Sequence, residues 1–209
     1  MITYKNVEIH EDDYKWVQDY YGCVFDELNK QFHFNNMYVD LFSKDDFISN
    51  SFSWSLSDET VSGGNTSVNK EGRITQISLD NHIPFVLFAY GFDLFDPVIF
   101  DKLKNLNLTL NLNGLKKIET VSLQNNICIS EIICDECVDL FGLWCDKNKI
   151  SSLNLKNNHN LDFLSCTQNN LSEIDLSQQA KITALFCEKN PIKKIITSPK
   201  VSLDEIKRG

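Results

Sequence analysis

The chain has 209 residues, 42% of them hydrophobic, with a formal charge of −9 at pH 7, enough for one domain with a real core and at most an appended cap. No run approaches the roughly 18 apolar residues that span a bilayer, and Met1 to Asp13 has neither the basic start nor the apolar centre of a secretory signal, so the chain is expected to be cytoplasmic and free of membrane. Residues 1–60 carry twelve acidic and four basic side chains, whereas residues 61–209 carry seventeen and sixteen; without a basic footprint, nucleic acid is excluded as the expected partner.

Glu11 to Leu28 reads as an amphipathic helix. Tyr14, Val17, Tyr21, Val24 and Leu28 fall at helical spacing, and Glu11, Asp12 and Asp13 place negative charge at its start, although Gly22 interrupts it. Gln31 to Leu56 alternates in patches, most clearly in Phe52–Leu56, which predicts strands with one buried face; Ser62-Gly-Gly-Asn65 is a turn or loop. In Glu71–Leu79, Ile74, Ile77 and Leu79 begin an L-x-x-L-x-L spacing. Leu79 to Leu123 is 44 residues, which predicts two coils of 22, although the stretch between is irregular and aromatic (Phe85, Phe88, Tyr90, Phe92, Phe95, Phe100). Leu110, Leu112, Ile118, Val121, Leu123 and Asn126 resume the pattern, and Ile129, Ile132, Cys134, Leu140 and Leu143 continue it.

From Leu143 to Ile192 one sentence is written three times. Leu143-Trp-Cys-Asp-Lys-Asn-Lys-Ile150, Leu164-Ser-Cys-Thr-Gln-Asn-Asn-Leu171 and Leu185-Phe-Cys-Glu-Lys-Asn-Pro-Ile192 keep Cys145, Cys166 and Cys187 21 residues apart, with Asn148, Asn169 and Asn190 on the same interval. A fixed period in this range means a stack of coils. The motif resembles the leucine-rich repeat, in a form common in bacteria with Cys at one leucine position, and Leu153-Asn-Leu155 and Ile174-Asp-Leu176-Ser177 match its companion segment. The resemblance implies an α/β-type repeat solenoid, a short right-handed coil with a parallel sheet. Residues 1–68 would form a helix-containing N-terminal cap, residues 69–196 the solenoid (regular from about 106), and residues 197–209 a short C-terminal cap or tail. A cap is also a physical need, since the first coil would otherwise expose its apolar cross-section.

The seven cysteines are an odd number, and three lie on the repeat's inward column, so they read as reduced core residues. Cys134-Asp-Glu-Cys137 is the one spacing suited to zinc; without a second pair it is a weak signal, and Cys134 falls in register with Leu155 and Leu176, so no metal is expected. No cofactor motif is present either. Asn126, Asn148, Asn169 and Asn190 should be structural, each side chain donating to one backbone carbonyl and accepting from another N–H where the turn leaves them unpaired. Side chains alternate across a strand, so Leu143 and Cys145 point inward while Trp144 and Asp146 point outward. Three outward columns follow: Thr120, Gly142, Phe163 and Ala184; Ser122, Trp144, Ser165 and Phe186; Gln124, Asp146, Thr167 and Glu188. Grouped aromatics on an open face are the usual anchors of a protein interface.

The expected function is therefore non-catalytic protein binding. Trp144, Phe163 and Phe186 would be the anchors, with Asp146, Glu188, Ser165 and Thr167 around them, and the partner would be another protein with a basic surface. An immunity-type antagonist of a basic toxin fits that description. The alternatives are a trimmed surface adhesin or glycan-binding module, and an enzyme built on Cys23 with His10, His33, His82 or His159, for which the sequence supplies little. Nothing in the sequence fixes an oligomeric state.

Overall fold

In a computed structural model, residues 2–4, 7–32, 66–69, 71–80 and 95–201 are described. The expected strands around Phe52–Leu56, the Ser62–Asn65 turn and the aromatic segment Phe85–Phe92 lie outside these residues. In chain order, a hairpin of β1 (Ile2–Tyr4) and β2 (Val7–Ile9) leads into α1 (Glu11–Phe32), then β3 (Thr66–Val68) and β4 (Ile74–Ser78). A second helix, α2 (Pro97–Asn105), precedes β5 (Leu108–Asn111), β6 (Thr120–Ser122), β7 (Ile129–Ile133) and β8 (Gly142–Trp144). The chain ends through β9 (Phe163–Ser165), β10 (Glu173–Leu176), β11 (Ala184–Phe186) and β12 (Lys194–Thr197).

β4, β6, β8, β9 and β11 lie side by side in one parallel sheet, joined by four turns of a solenoid. Thr120 pairs with Gly142, Gly142 with Phe163, and Phe163 with Ala184, which gives coils of 22, 21 and 21 residues. On the return side of the coils β5 pairs with β7 and β10 with β12, again in parallel. Alternation turns Ile77, Val121, Leu143, Leu164 and Leu185 inward as a fully buried column. Beside it run Leu79, Leu123, Cys145 and Cys166, all buried, and Cys187, half-buried in the last coil.

The expectation of two coils between Leu79 and Leu123 is overturned. β4 pairs directly with β6, Ile77 opposite Val121, so the chain makes one enlarged coil between them, whose described part carries α2 and β5. A length of 44 fits two coils numerically, but the helix consumes residues without adding a strand to the main sheet. The start of α2 has a local signature: Asp96 caps it by accepting from Val98 N at 2.8 Å, and Pro97 occupies the first turn, where its missing N–H is harmless.

Polar side chains tie the coils together inside the core. Asn126, Asn148, Asn169 and Asn190 each donate to a carbonyl of their own coil and to one of the coil before. For Asn169 these are Cys166 O at 3.0 Å and Cys145 O at 2.9 Å. Asn169 and Asn190 also accept, from Ile150 N and Leu171 N, both at 3.0 Å. The residue before each asparagine (Asn125, Lys147, Gln168, Lys189) has a left-handed backbone, with φ between 54° and 60°, which turns the chain tightly enough for the amide to reach back. The opposite turn carries a second ladder on the same 21-residue interval. Cys137 Sγ lies 3.5 Å from Leu112 O, Asn158 donates to Cys134 O and Cys137 O, and Gln179 donates to Leu155 O at 2.7 Å. The turn recurs at Val201, whose N–H donates to Ser198 O as that of Gln179 does to Leu176 O.

Both described helices contribute to the solenoid core. Trp16, Val17, Leu28 and Phe32 of α1 share one apolar cluster with Ile74, Leu103, Leu110 and Leu112. Trp16 Nε1 donates to Asn111 O at 2.7 Å, and Asp13 receives the Arg73 guanidinium. The edge of the main sheet is closed by β3, which pairs antiparallel with β4 and so satisfies backbone groups that a bare edge strand would expose. Among the described residues no helix is long and apolar enough to cross a membrane.

Candidate functional site

The outward face of the parallel sheet brings the three predicted aromatics together. Trp144 and Phe163 stack with ring centroids 4.6 Å apart and an interplanar angle of 26°; Phe163 and Phe186 follow at 5.4 Å and 33°. Register explains the contact. Trp144 and Phe186 both sit opposite Ser165, whereas Phe163 lies one column over, between Gly142 and Ala184. The rings from three successive coils therefore zigzag across two columns and make one continuous strip, each ring half-buried by its neighbours.

Gly142 makes this arrangement possible, and the sequence pattern gives no hint of it. A Cβ at position 142 would stand 2.5 Å from Trp144 Cζ3 and 2.6 Å from Cη2, so the indole lies flat across the glycine. Gly142→Ala should therefore push the indole off its bed and break its stack with Phe163. The obstructing atoms are the far end of a side chain that can swing away, so stability should fall only by the stacking contribution, about 1 kcal/mol. Loss of near-ultraviolet circular dichroism with an almost unchanged melting curve is the expected result. An unchanged aromatic spectrum would show that the ring tolerates the methyl group.

The polar residues of the face are tied to one another. Asp146 accepts from Ser165 Oγ at 2.7 Å and from Thr167 N at 2.7 Å, and Thr167 Oγ1 donates to Glu188 at 2.6 Å. Two coils earlier, Asp80 does the same for Ser122 Oγ (2.7 Å) and Gln124 N (2.6 Å). Asp80, Gln124, Asp146, Thr167 and Glu188 thus form an outward column whose carboxylates bind adjacent strands through charge-assisted hydrogen bonds. Ser165 is buried against Asp146; Asp146, Thr167 and Glu188 are half-buried. Over β4 and β6 the face changes character: Ser78, Thr120 and Ser122 leave a hollow of about 260 Å³ walled on one side by Trp144.

The remaining reactive groups are dispersed. Burial pushes the thiols of Cys128, Cys134 and Cys137 up to about 12 and raises those of Cys145 and Cys166 well above the ordinary thiol value, so at neutral pH these sulfurs are uncharged core atoms. Cys134 Sγ approaches Asn158 Oδ1 at 3.5 Å while Cys137 Sγ faces Leu112 O, so the Cys-x-x-Cys pair does not converge on a common point. Among the described residues no group of three or more His, Cys, Asp or Glu side chains is gathered in a way that could hold a metal ion. His159 is exposed, with Nδ1 3.5 Å from Gln178 O, and His10 Nδ1 accepts from Asp12 N. His33, His82 and the side chain of Cys23 lie outside the described residues.

No protein-family model and no curated protein matches the chain. A solved structure, the functional domain of InlJ from Listeria monocytogenes, described as including a cysteine ladder, is similar to part of it. The identity is 27%, the match covers 44% of this chain and 22% of that one, and the TM-score is 0.35. The fold rests instead on the strand register. This chain supplies its own column of stacked cysteines, Cys145, Cys166 and Cys187, and its aromatic strip lies on the other face of the strands that carry them.

Proposed function

We propose that this chain is a non-catalytic protein-interaction module that binds a protein partner on the outward face of its parallel sheet. One observation carries the reading: Trp144, Phe163 and Phe186, contributed by three successive coils, are stacked into a single apolar strip on a face whose other side chains are small or polar. The coils close around Ile, Val, Leu and Cys, so the fold does not require aromatics on this face. Large rings held rigid by mutual stacking lose little entropy when a partner covers them, which suits them as anchors. The carboxylates of Asp146 and Glu188 border the strip, so a partner with basic as well as apolar character is the best match. An immunity-type antagonist of a basic toxin would use such a face, with binding that weakens as salt rises.

The test is capture of partners from a lysate of the source cells by the wild type and by Trp144→Ala in parallel, followed by titration calorimetry with the protein retained. Trp144→Ala should weaken that complex by about 2 kcal/mol or more, roughly thirty-fold in Kd, as truncation of a central anchor does. The variant's own stability should drop only by the lost stacking, about 1 kcal/mol. A partner held equally by both proteins would remove the strip from the interface.

A further inference from the structure

A cleft opens along the rim of the sheet, where the coils enter their strands. Glu119, Phe141, Asp162 and Thr183 occupy the entry position of four successive coils, fixed in a column by backbone bonds: Phe141 N to Glu119 O (2.7 Å), Asp162 N to Phe141 O (2.9 Å) and Thr183 N to Asp162 O (2.9 Å). With Asp139, Asn160 and Lys181 they line an open cleft of about 580 Å³. Its odd member is Phe141. The equivalent residues of the neighbouring coils are polar, and the Phe141 side chain lies outside the apolar core cluster and is 48% exposed. The fold gains nothing evident from a phenyl ring there.

The charges around that ring are unbalanced. Glu119 lies one coil before Phe141 and Asp162 one coil after it. Among the described residues, the Glu119 carboxylate has no partner, and the Asp162 carboxylate accepts only from the Thr183 hydroxyl. Asp139 is paired with Lys117 at 3.0 Å. Among the described residues, Lys181 is the one cation that lines the cleft, and it donates to the amide oxygen of Asn160 at 2.6 Å rather than to a carboxylate. A ring face flanked by carboxylates on both sides is complementary to a planar cation, which can stack on the ring and donate to the oxygens. The cleft also adjoins the aromatic strip, for Phe163 N donates to Phe141 O at 3.1 Å and Asp162 directly precedes Phe163.

We propose that this cleft receives an arginine side chain of the protein partner, its guanidinium lying on Phe141 and donating to Asp162 and Glu119. The inference rests on the reading of the sheet face as a protein-binding surface and adds to it the chemistry at one end of the footprint. Arginine fits better than lysine because its flat, forked cation can meet a ring and two carboxylates together, whereas an ammonium is a compact, strongly hydrated point charge.

The experiment titrates the full chain, labelled with nitrogen-15, with N-acetyl-arginine amide, and with N-acetyl-norleucine amide as the uncharged comparison. Saturable shifts should centre on the amides of Glu119, Phe141, Asp162 and Thr183, with a Kd of roughly millimolar order, as for an exposed cation–ring contact with weak ion pairing. The norleucine compound should produce none. Phe141→Ala and Asp162→Asn, each with an otherwise wild-type spectrum, should each weaken the arginine compound roughly three-fold or more. The proposal is overturned if the wild type shows no saturable shift at these amides, if norleucine amide shifts them equally, or if both variants bind as the wild type does. It is also overturned if the same amides shift with protein concentration alone at low salt, because the cleft would then hold a second copy of this chain, whose Lys147 and Lys189 are exposed. The titration needs no partner protein, so its failure leaves the aromatic strip standing. Equal capture by wild type and Trp144→Ala would remove the strip while leaving arginine binding in the cleft intact.

Discussion

Asn169→Leu is expected to lose about 3 kcal/mol or more of unfolding free energy, a large fraction of what a domain of this kind has. The asparagine is buried in the middle of the stack, donates to Cys145 O and Cys166 O, and accepts from Ile150 N. Leucine has nearly the same volume and none of these functions, so Ile150 N would be left without a partner away from water, while Cys145 O and Cys166 O would each lose one of their two amide donors and keep the other, from Asn148 and Asn190. The orphaned N–H costs about 1–3 kcal/mol, and each of the two lost carbonyl bonds adds about 1 kcal/mol. Asn190 makes the corresponding bonds to Cys166 O, Cys187 O and Leu171 N but is only half-buried, since among the described residues no further coil covers it as Asn190 covers Asn169. Water can reach what Asn190→Leu strands, so that variant should lose less than half as much. Urea unfolding of both variants checks the pair. Equal losses would show that burial does not set the cost, and a loss below about 1 kcal/mol for Asn169→Leu would show that the coils close without the amide.

The asparagine ladder was legible because one residue type repeats at one interval, and alternation around Leu143 and Cys145 was enough to place Trp144, Phe163 and Phe186 on the outer face. The second ladder lies on the same interval but changes residue from Cys137 to Asn158 to Gln179, so a search for identical letters passes over it. The enlarged first coil was misread because length alone cannot distinguish two plain coils from one coil holding a helix; the Asp96–Pro97 helix start was the available signal. At the site, alternation gives the face of each ring but not its contacts. That Trp144 lies across Gly142, and that Asp146 is held by Ser165 and Thr167 across the strand gap, depends on atoms brought together by the stacking of coils. Asp146, expected as a binding residue beside the aromatics, therefore has a second task that alternation does not give: its carboxylate bonds its own strand to the next.

Arg73→Ala should release α1 from the solenoid. The Asp13 carboxylate is fully buried and accepts from Arg73 Nη2 at 2.6 Å, Arg73 Nε at 3.1 Å and Ile74 N at 2.6 Å, so one side chain of the helix's first turn is bonded to the entrance of β4. Removing the guanidinium leaves a buried negative charge with a single backbone donor, a loss that costs about 3–5 kcal/mol. Replacing both partners, as in Asp13→Asn with Arg73→Met, should cost less than Arg73→Ala alone, because no uncompensated charge remains. Hydrogen exchange separates release of the helix from general unfolding. In Arg73→Ala the amides of α1 should exchange much faster, while those of β8, β9 and β11 keep their protection, since the asparagine ladder holding them does not involve the helix. Uniform loss of protection would mean that cap and coils unfold as one unit. If the helix alone is released, Ile74, Leu110 and Leu112 lose the Trp16 and Val17 side chains that share their cluster, and the open end of the solenoid becomes an apolar surface. The variant should then self-associate at concentrations where the wild type does not, which would show that covering the first coil is the work α1 performs.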